Sequence, residues 1–201
     1  MSAAAHPSTL IIGCGALARE MVSFITASKM DKIAVTCLPA HLHNRPHKIP
    51  AILEQKIRRA RKSYDRIFVL YGDCGTGGEL DRVCARHGVE RIDGSHCYEF
   101  YAGREDFKEL TDAEPACFFL TDYLVRHFKR LIVTGLGLDR HPELRDDYFG
   151  NYKKLVYLAQ LDDPALTAKA ERAAQFLGLA FERRLTGLGE LADFMKRAAS
   201  A

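Results

Sequence analysis

The sequence predicts an α/β fold with a mainly parallel, Rossmann-like sheet of about six to seven strands flanked by helices. The first observation is that short runs of β-branched and aromatic residues alternate with segments of helical spacing. The second is that glycine-rich turns follow several of these runs, as at 13–18 and 72–78. Strands that alternate with helices form parallel sheets, so both observations indicate the same architecture.

The composition is typical of a globular protein, with 201 residues of which 47% are hydrophobic and 27% charged. A net charge of +3 without a strongly basic block indicates no nucleic-acid partner. No apolar run approaches the ~20 residues of a membrane span, so we expect no membrane partner. Six cysteines without a secretion signal predict reduced thiols and a cytoplasmic location. We expect a small-molecule substrate, and the oligomeric state stays open.

The chain is expected to form one α/β domain over 9–201, preceded by a flexible N-terminus at 1–8. A faint repeat of strand, Asp-bearing turn, helix, glycine and strand occurs at 66–92 and again at 154–183. This repeat suggests two similar halves, 9–103 and 104–201, that share one cleft.

The predicted elements follow from hydrophobic periodicity and from the glycine and proline boundaries. Strands are predicted at 9–12, 33–36, 67–70, 89–92, 130–134, 155–159 and 179–183. Helices are predicted at 19–27, 49–64, 79–87, 118–128, 165–177 and 189–199.

The first glycine turn has the GxGxxA pattern of dinucleotide-binding folds at 13–18. The next predicted strand ends in Cys-Leu-Pro at 37–39, with no Asp or Glu to hold a ribose, which argues against NAD. Cys14 lies at the predicted start of a helix, where the helix dipole is expected to lower the pKa of its thiol. The glycines considered for close approach to a cofactor are Gly13, Gly15 and Gly75.

A cysteine follows each of four successive predicted strands. These cysteines are Cys14, Cys37, Cys74 and Cys97. Because the carboxyl ends of parallel strands meet at one edge of a sheet, we expect these thiols at a common rim, with His96 beside the last. A polar loop at 39–47 with three histidines slightly favours a site over an incidental surface loop. Cys84 and Cys117 lie in apolar company and are predicted to be core residues.

Seven segments distributed over nearly the whole chain carry a resemblance to a known family. They are 13–15, 38–39 with 43–46, 71–75, 96–99, 120–122, 135–139 and 148–152. On these segments the chain resembles a bacterial and archaeal family catalogued as domain of unknown function number sixteen thirty-eight. Members are often encoded beside corrinoid proteins and their methyltransferases, so the resemblance implies an association with corrinoid-dependent methyl transfer and such partners. It carries over no catalytic residue.

The favoured interpretation is a metal site made of Cys14, Cys74, Cys97 and His96. Thiolate and imidazole ligands suit zinc, with iron or an iron–sulfur cluster as the alternative. A zinc ion with an open position would bind a small thiol as its thiolate, the activation that a thiol methyltransferase needs. A corrinoid would then act through a partner protein. Asp73 and Asp139 would orient a ligand histidine.

Two alternatives stay open. In the first, a metal-free enzyme uses Cys14 or Cys74 as the nucleophile, His96 or His141 as the base and glycine N–H groups as an oxyanion hole. In the second, a non-catalytic carrier hands a corrinoid or a metal to a methyltransferase. Asp73, Asp139 and His141 are the candidate catalytic residues outside the ligand set.

Overall fold

The computed structural model describes residues 8–200, which form parallel β-strands in two separate sheets with helices between them. The predicted α/β class is confirmed. The single sheet of six to seven strands is wrong, because the strands divide into one sheet of four and one of three. The chain divides likewise into two compact units, one extending to Phe100 and resuming at Glu190, the other Tyr101–Gly189.

The predicted domain boundaries relate to these units only in part. The proposed division near residue 103 lies close to the end of the first unit, but the end of the chain returns to that unit. Except for Ser8, the predicted flexible N-terminus lies outside the described residues. A cleft shared by the two halves stays a prediction.

The first unit contains four parallel strands in the order β2-β1-β3-β4. Their bounds are β1 (Thr9–Cys14), β2 (Ile33–Leu38), β3 (Arg66–Leu70) and β4 (Glu90–Arg91). Strand β1 is buried along its whole length, as expected of a central strand in a parallel sheet. Gly13 lies level with Cys37 on one side and with Leu70 on the other, so the carboxyl ends of the three longer strands form one edge.

The second unit contains three parallel strands in the order β5-β6-β7. Their bounds are β5 (Cys117–Thr121), β6 (Lys154–Ala159) and β7 (Ala180–Leu185). The core of this unit includes Leu120 and Tyr157 from the sheet and Leu166 and Ala170 from a helix. The predicted repeat is present, since the segments around β3 and β6 each form a strand, a helix and a parallel strand.

The α-helices of the described part connect these strands. They are α1 (Ala18–Ala27), α2 (Ile49–Ala60), α3 (Glu79–Arg86), α4 (Cys97–Ala102), α5 (Arg104–Ala113), α6 (Asp122–Arg126), α7 (Leu144–Phe149), α8 (Pro164–Leu177) and α9 (Glu190–Ser200). Short 3-10 turns lie at Gly15–Leu17, Ala40–Asn44 and Pro46–Lys48. None of the helices described over 8–200 is long and apolar enough to cross a membrane.

The region from Cys117 to Thr134 differs from the sequence prediction. The predicted helix at 118–128 begins as strand β5, and only α6 within it is helical. The predicted strand at 130–134 forms part of a π-helix, Lys129–Thr134. The apolar run Phe118–Leu120 pairs with β6, and a short run of this kind has the same hydrophobic pattern in a buried strand and a buried helix. The side chains of Ile132 and Val133 are partly buried by packing on the core of the second unit.

Candidate functional site

The carboxyl edge of the four-stranded sheet brings three cysteines and a tyrosine together. Cys14 ends β1, Tyr71 directly follows β3, Cys74 lies in the next loop and Cys97 begins α4. Burial raises the pKa of Cys97 well above its ordinary value, and the nearby Cys74 and Cys14 thiols raise it further. Burial is the largest cause of the raised pKa of Tyr71, and the three thiols raise it further. We call these four residues the cysteine edge.

Burial governs the acidity of the thiols at the cysteine edge. It raises the pKa of Cys14 to about 11, although the Ala16 N–H donates to its Sγ at 3.4 Å. The pKa of Cys74 rises to about 12, again mainly through burial and then through Cys14 and Asp73. The expected lowering of the Cys14 pKa is therefore wrong. A three-residue 3-10 turn separates Cys14 from α1, and Cys14 is 3% exposed, so desolvation exceeds the effect of the backbone dipoles.

The loop after β3 holds Cys74 in an unusual backbone conformation. Its φ of +50° lies in the left-handed region, which non-glycine residues seldom adopt. The Cys74 N–H donates to the Ser95 carbonyl at 2.8 Å, which ties this loop to the segment before α4. A Cβ on Gly72 would lie 3.2 Å from the His96 backbone and 3.3 Å from Cys74 Sγ. The backbone is therefore fitted closely around the Cys74 thiol.

Asp73 organises this loop through its carboxylate. Oδ1 accepts hydrogen bonds from Thr76 Oγ1 at 2.5 Å and the Gly78 N–H at 2.8 Å, and Oδ2 accepts from the Gly77 N–H at 3.0 Å. These bonds lower the pKa of Asp73 although partial burial opposes them. Both oxygens are used within the loop, and the predicted catalytic or ligand-orienting role of Asp73 stays a prediction.

His43 lies beside the cysteine edge and was not among the site residues predicted from the sequence. Its Nδ1 donates to the Ala40 carbonyl at 3.2 Å and lies 4.0 Å from Cys14 Sγ. Its ring stacks on Tyr71 with centroids 5.9 Å apart. Desolvation of the ring lowers the pKa of His43, although the residue keeps an exposed surface, and His96 lowers it further. The histidine-rich loop was a signal for this position, but it did not distinguish His43 from the exposed His41 and His47.

Of the remaining cysteines, Cys37 also lies at the carboxyl edge, level with Gly13, and its thiol adds to the raised pKa of Cys14. Cys37 lies in β2, where Lys56 Nζ donates to its carbonyl at 3.1 Å. Burial raises the pKa of the Cys37 thiol, and Lys56 opposes the rise. Cys84 and Cys117 are buried, 3% and 6% exposed, so their prediction as core residues is confirmed.

The glycines considered for a cofactor have packing roles. A Cβ on Gly13 would lie 2.5 Å from the Met21 side chain, so this position lets α1 approach the sheet. A Cβ on Gly15 would lie 3.0 Å from the Leu38 carbonyl oxygen at the end of β2. Gly75, at φ +83°, faces Pro46 of the histidine loop. A cofactor role for Gly13, Gly15 and Gly75 stays a prediction.

Asp139 and His141 belong to the second unit and not to the sheet that carries the cysteine edge. Asp139 Oδ2 accepts a hydrogen bond from Thr134 Oγ1 at 3.1 Å. His141 is exposed, and its Nδ1 lies 3.2 Å from Glu143 Oε1. Their predicted functional roles are untested.

The fit of the cysteine edge to a metal depends on donor type and on spacing. The thiols are donors that zinc and iron accept, and they are close enough to affect one another's pKa, with Cys14 buried and Cys74 and Cys97 half-buried. Within residues 8–200, however, no three or more His, Cys, Asp or Glu side chains are grouped closely enough to hold a metal ion. The donor set fits a thiophilic metal, and binding would require the thiols to draw together.

A family model with the description "Protein of unknown function (DUF1638)" matches residues 37–195, which is most of the chain. The chain belongs to this family. The matched region includes His43, Cys74 and Cys97, whereas Cys14 precedes it. The comparison with curated proteins gave no match. The family resemblance noted from the sequence is thereby confirmed, and the description attaches no activity to it.

Proposed function

We propose that the protein binds one metal ion through Cys14, Cys74 and Cys97. Zinc is the favoured metal and iron the alternative. The observation that carries the proposal is the convergence of three desolvated thiols at one sheet edge, where Cys14 raises the pKa of Cys74 and both raise the pKa of Cys97. A metal ion deprotonates a coordinating thiol outright, and the charge of a divalent ion offsets most of the charge of three thiolates that burial alone would disfavour.

Two histidines are candidates for a further ligand. His96 was predicted from the sequence and is close enough to His43 to lower its pKa. His43 donates from Nδ1 to a backbone carbonyl, which leaves Nε2 with its lone pair. Ligand histidines are commonly held in this way by a hydrogen bond from the other ring nitrogen. Three thiolates with either histidine would make a four-coordinate set, and three thiolates alone would leave one position open.

An open position would give the site its chemistry. Zinc with a free position binds a small thiol as the thiolate and makes it a nucleophile at neutral pH. The resemblance to a family encoded beside corrinoid systems supports a role in or beside corrinoid-dependent methyl transfer. The substrate would then be a small thiol or methylated compound, and the partner a corrinoid protein or its methyltransferase.

The metal-free nucleophile is the weaker alternative. A nucleophilic cysteine works as the thiolate, and the pKa values of Cys14 and Cys74, about 11 and about 12, keep both protonated near neutral pH. A carrier without turnover remains compatible with the same metal site. It would bind the metal as well as an enzyme does, and only an activity assay separates the two.

Elemental analysis of protein purified anaerobically without chelator, after zinc supplementation, tests the proposal. We expect one zinc per chain in the wild type and a loss of most of it in Cys74→Ser. Cys84→Ala is the control, because Cys84 is a free cysteine that lies in α3 and packs in the core. Wild-type protein with far less than one zinc or iron per chain would contradict the proposal, as would full metal content in Cys74→Ser.

A further inference from the structure

The second unit contains an open cavity of ≈470 Å³ with a strongly basic lining. Its lining residues are Arg126, His127, Lys129, Arg130 and Thr134. Four of these five are basic, and none is acidic. The volume is within the range of about 300–1,000 Å³ common for small-molecule sites.

The cations around this cavity are poorly neutralised. Over residues 8–200, neither Lys129 nor Arg130 has an ion pair in the structure, and both are exposed. Arg126 approaches Asp122 Oδ2 only at 3.9 Å, and its buried Nε has no hydrogen-bond partner in the described chain. Burial lowers the pKa of His127, and Arg130 and Arg126 lower it further. The cavity therefore has a positive potential that an anion would relieve.

The backbone around this cavity is also unusual. Lys129 and Arg130 open the π-helix Lys129–Thr134, directly after α6 and a short connection. Beyond the end of the π-helix, the Leu138 N–H also donates five residues back, to Val133, at 2.8 Å. π-helical segments are rare in proteins overall, but those that occur are often found at functional sites. The π-helix places two cations and Thr134 on the cavity wall.

An adjacent cavity of ≈340 Å³ shares Arg126 and Lys129 with the first. Its lining includes Phe128 and, from α8, Phe176, whose rings meet edge to face with centroids 6.2 Å apart. Phe176 is 44% exposed, which is unusual for a phenylalanine. The second cavity therefore offers an aromatic surface directly beside the cations.

We propose that the two cavities form one binding site for a phosphorylated small molecule with a planar ring, of the nucleoside diphosphate type. The phosphates would bind Arg126, Lys129 and Arg130, because guanidinium and ammonium groups donate charge-assisted hydrogen bonds to phosphate oxygens. The ring would pack on Phe128 and Phe176, because contact between aromatic rings buries apolar surface of both partners. This site is independent of the proposed metal site.

Calorimetric titration of the full-length protein with inorganic pyrophosphate, ADP and adenosine tests the site. We expect ADP to bind more tightly than pyrophosphate and adenosine most weakly. Arg130→Gln should weaken ADP binding by about tenfold or more, the loss expected for one charge-assisted hydrogen bond. Arg59→Gln is the charge-matched control, since Arg59 is an exposed arginine on α2, and it should leave binding unchanged.

The apolar half of the site has its own test. Phe176→Ala should remove the advantage of ADP over pyrophosphate and leave pyrophosphate binding intact. Equal binding of ADP and pyrophosphate to the wild type would contradict the ring-binding surface. Equal weakening by Arg130→Gln and Arg59→Gln would show general charge attraction and overturn the site. Binding to vesicles of anionic lipid without binding of pyrophosphate or ADP would also overturn it.

Discussion

Cys14 is held in surroundings that keep its thiol protonated. The residue is 3% exposed, and its Sγ accepts a hydrogen bond from the Ala16 N–H at 3.4 Å. This bond and the nearby Tyr71 hydroxyl favour the thiolate but do not compensate it for the loss of water, so the pKa rises to about 11. The same reasoning applies to Cys74, where a second buried thiol adds to the penalty.

These raised pKa values predict an alkaline loss of stability in the metal-free protein. The thiols ionise near pH 9.0 in the unfolded chain but only near 11 for Cys14 and 12 for Cys74 in the folded one. Stability is therefore unaffected below pH 9 and falls as the pH rises towards 11 and 12, by up to about 1.4 kcal/mol per pH unit for each thiol.

Urea unfolding of metal-free protein at pH 8 and pH 10 measures this loss. Cys74→Ser should reduce the difference between the two free energies of unfolding, because serine does not ionise in this range. A wild-type free energy of unfolding that stays constant or rises between the two values would contradict the burial of the thiols.

At the residue scale, the sequence allowed the positions of the site cysteines to be predicted but not their acidity. Cys14 and Cys74 follow central strands, and parallel strands bring such positions to one edge. The sign of the pKa shift depends on whether burial of the thiol outweighs the effect of the following helix. Burial cannot be read from the local sequence pattern. His43 was missed for a related reason, since only the packing of its ring on Tyr71 separates it from its neighbours.

At the scale of elements, a buried carboxylate joins β5, α6 and β6. Asp122, 1% exposed, begins α6, and its Oδ1 accepts from Tyr157 Oη at 2.7 Å and the Gln160 N–H at 3.0 Å. Gln160 Oε1 accepts the Asp122 N–H at 2.8 Å in return. The bond from the Asp122 N–H gives the first backbone N–H group of α6 a partner, at the point where β5 ends.

Tyr157→Phe should lower the free energy of unfolding by about 1–3 kcal/mol, because it leaves the buried Asp122 carboxylate with one donor fewer. Urea unfolding followed by circular dichroism measures the change. Tyr148→Phe is the matched control, since Tyr148 is 47% exposed, and it should have little effect. Equal effects of the two substitutions would show that the network contributes no more than a surface hydroxyl.

The elements with clear boundaries were predictable, and those without were not. Helix α8 has an Asp163 cap, a proline in its first turn and Gly178 at its end, and its bounds were predicted to within a residue. Strand β5 was mistaken for a helix because Phe118–Leu120 has no alternation and runs directly into α6. The π-helix was mistaken for a strand because the residues at 131–133 have strong β propensity, which tertiary packing overrides.

At the scale of the whole molecule, the two sheets have separate cores, and the chain end completes the first. Helix α9 packs on β1 and β3 and buries Leu191, Phe194 and Met195. The Phe194 ring meets Phe68 edge to face at 6.0 Å. The sequence predicted α9 but not its partner, because amphipathic periodicity identifies a buried face and not the surface that covers it.

Phe194→Ala should therefore lower the free energy of unfolding of the first unit by about 3–5 kcal/mol, the cost of a large cavity in a core. Phe194→Leu should cost clearly less, because it fills most of the volume. Hydrogen exchange in β1 and β3 locates the loss. Faster exchange confined to β5–β7 would contradict the assignment of α9 to the first core.

A cobalt(II) titration of the metal-free protein tests whether Cys14, Cys74 and Cys97 bind one metal ion. Cobalt replaces zinc in thiolate sites, and its thiolate ligands give a charge-transfer absorption that neither carboxylate nor imidazole ligands produce. We expect this absorption to saturate at one cobalt per chain, to disappear on addition of zinc, to be lost in Cys74→Ser and to persist in Cys84→Ala. A titration without that absorption, or one that Cys74→Ser leaves unchanged, would contradict the proposed metal site.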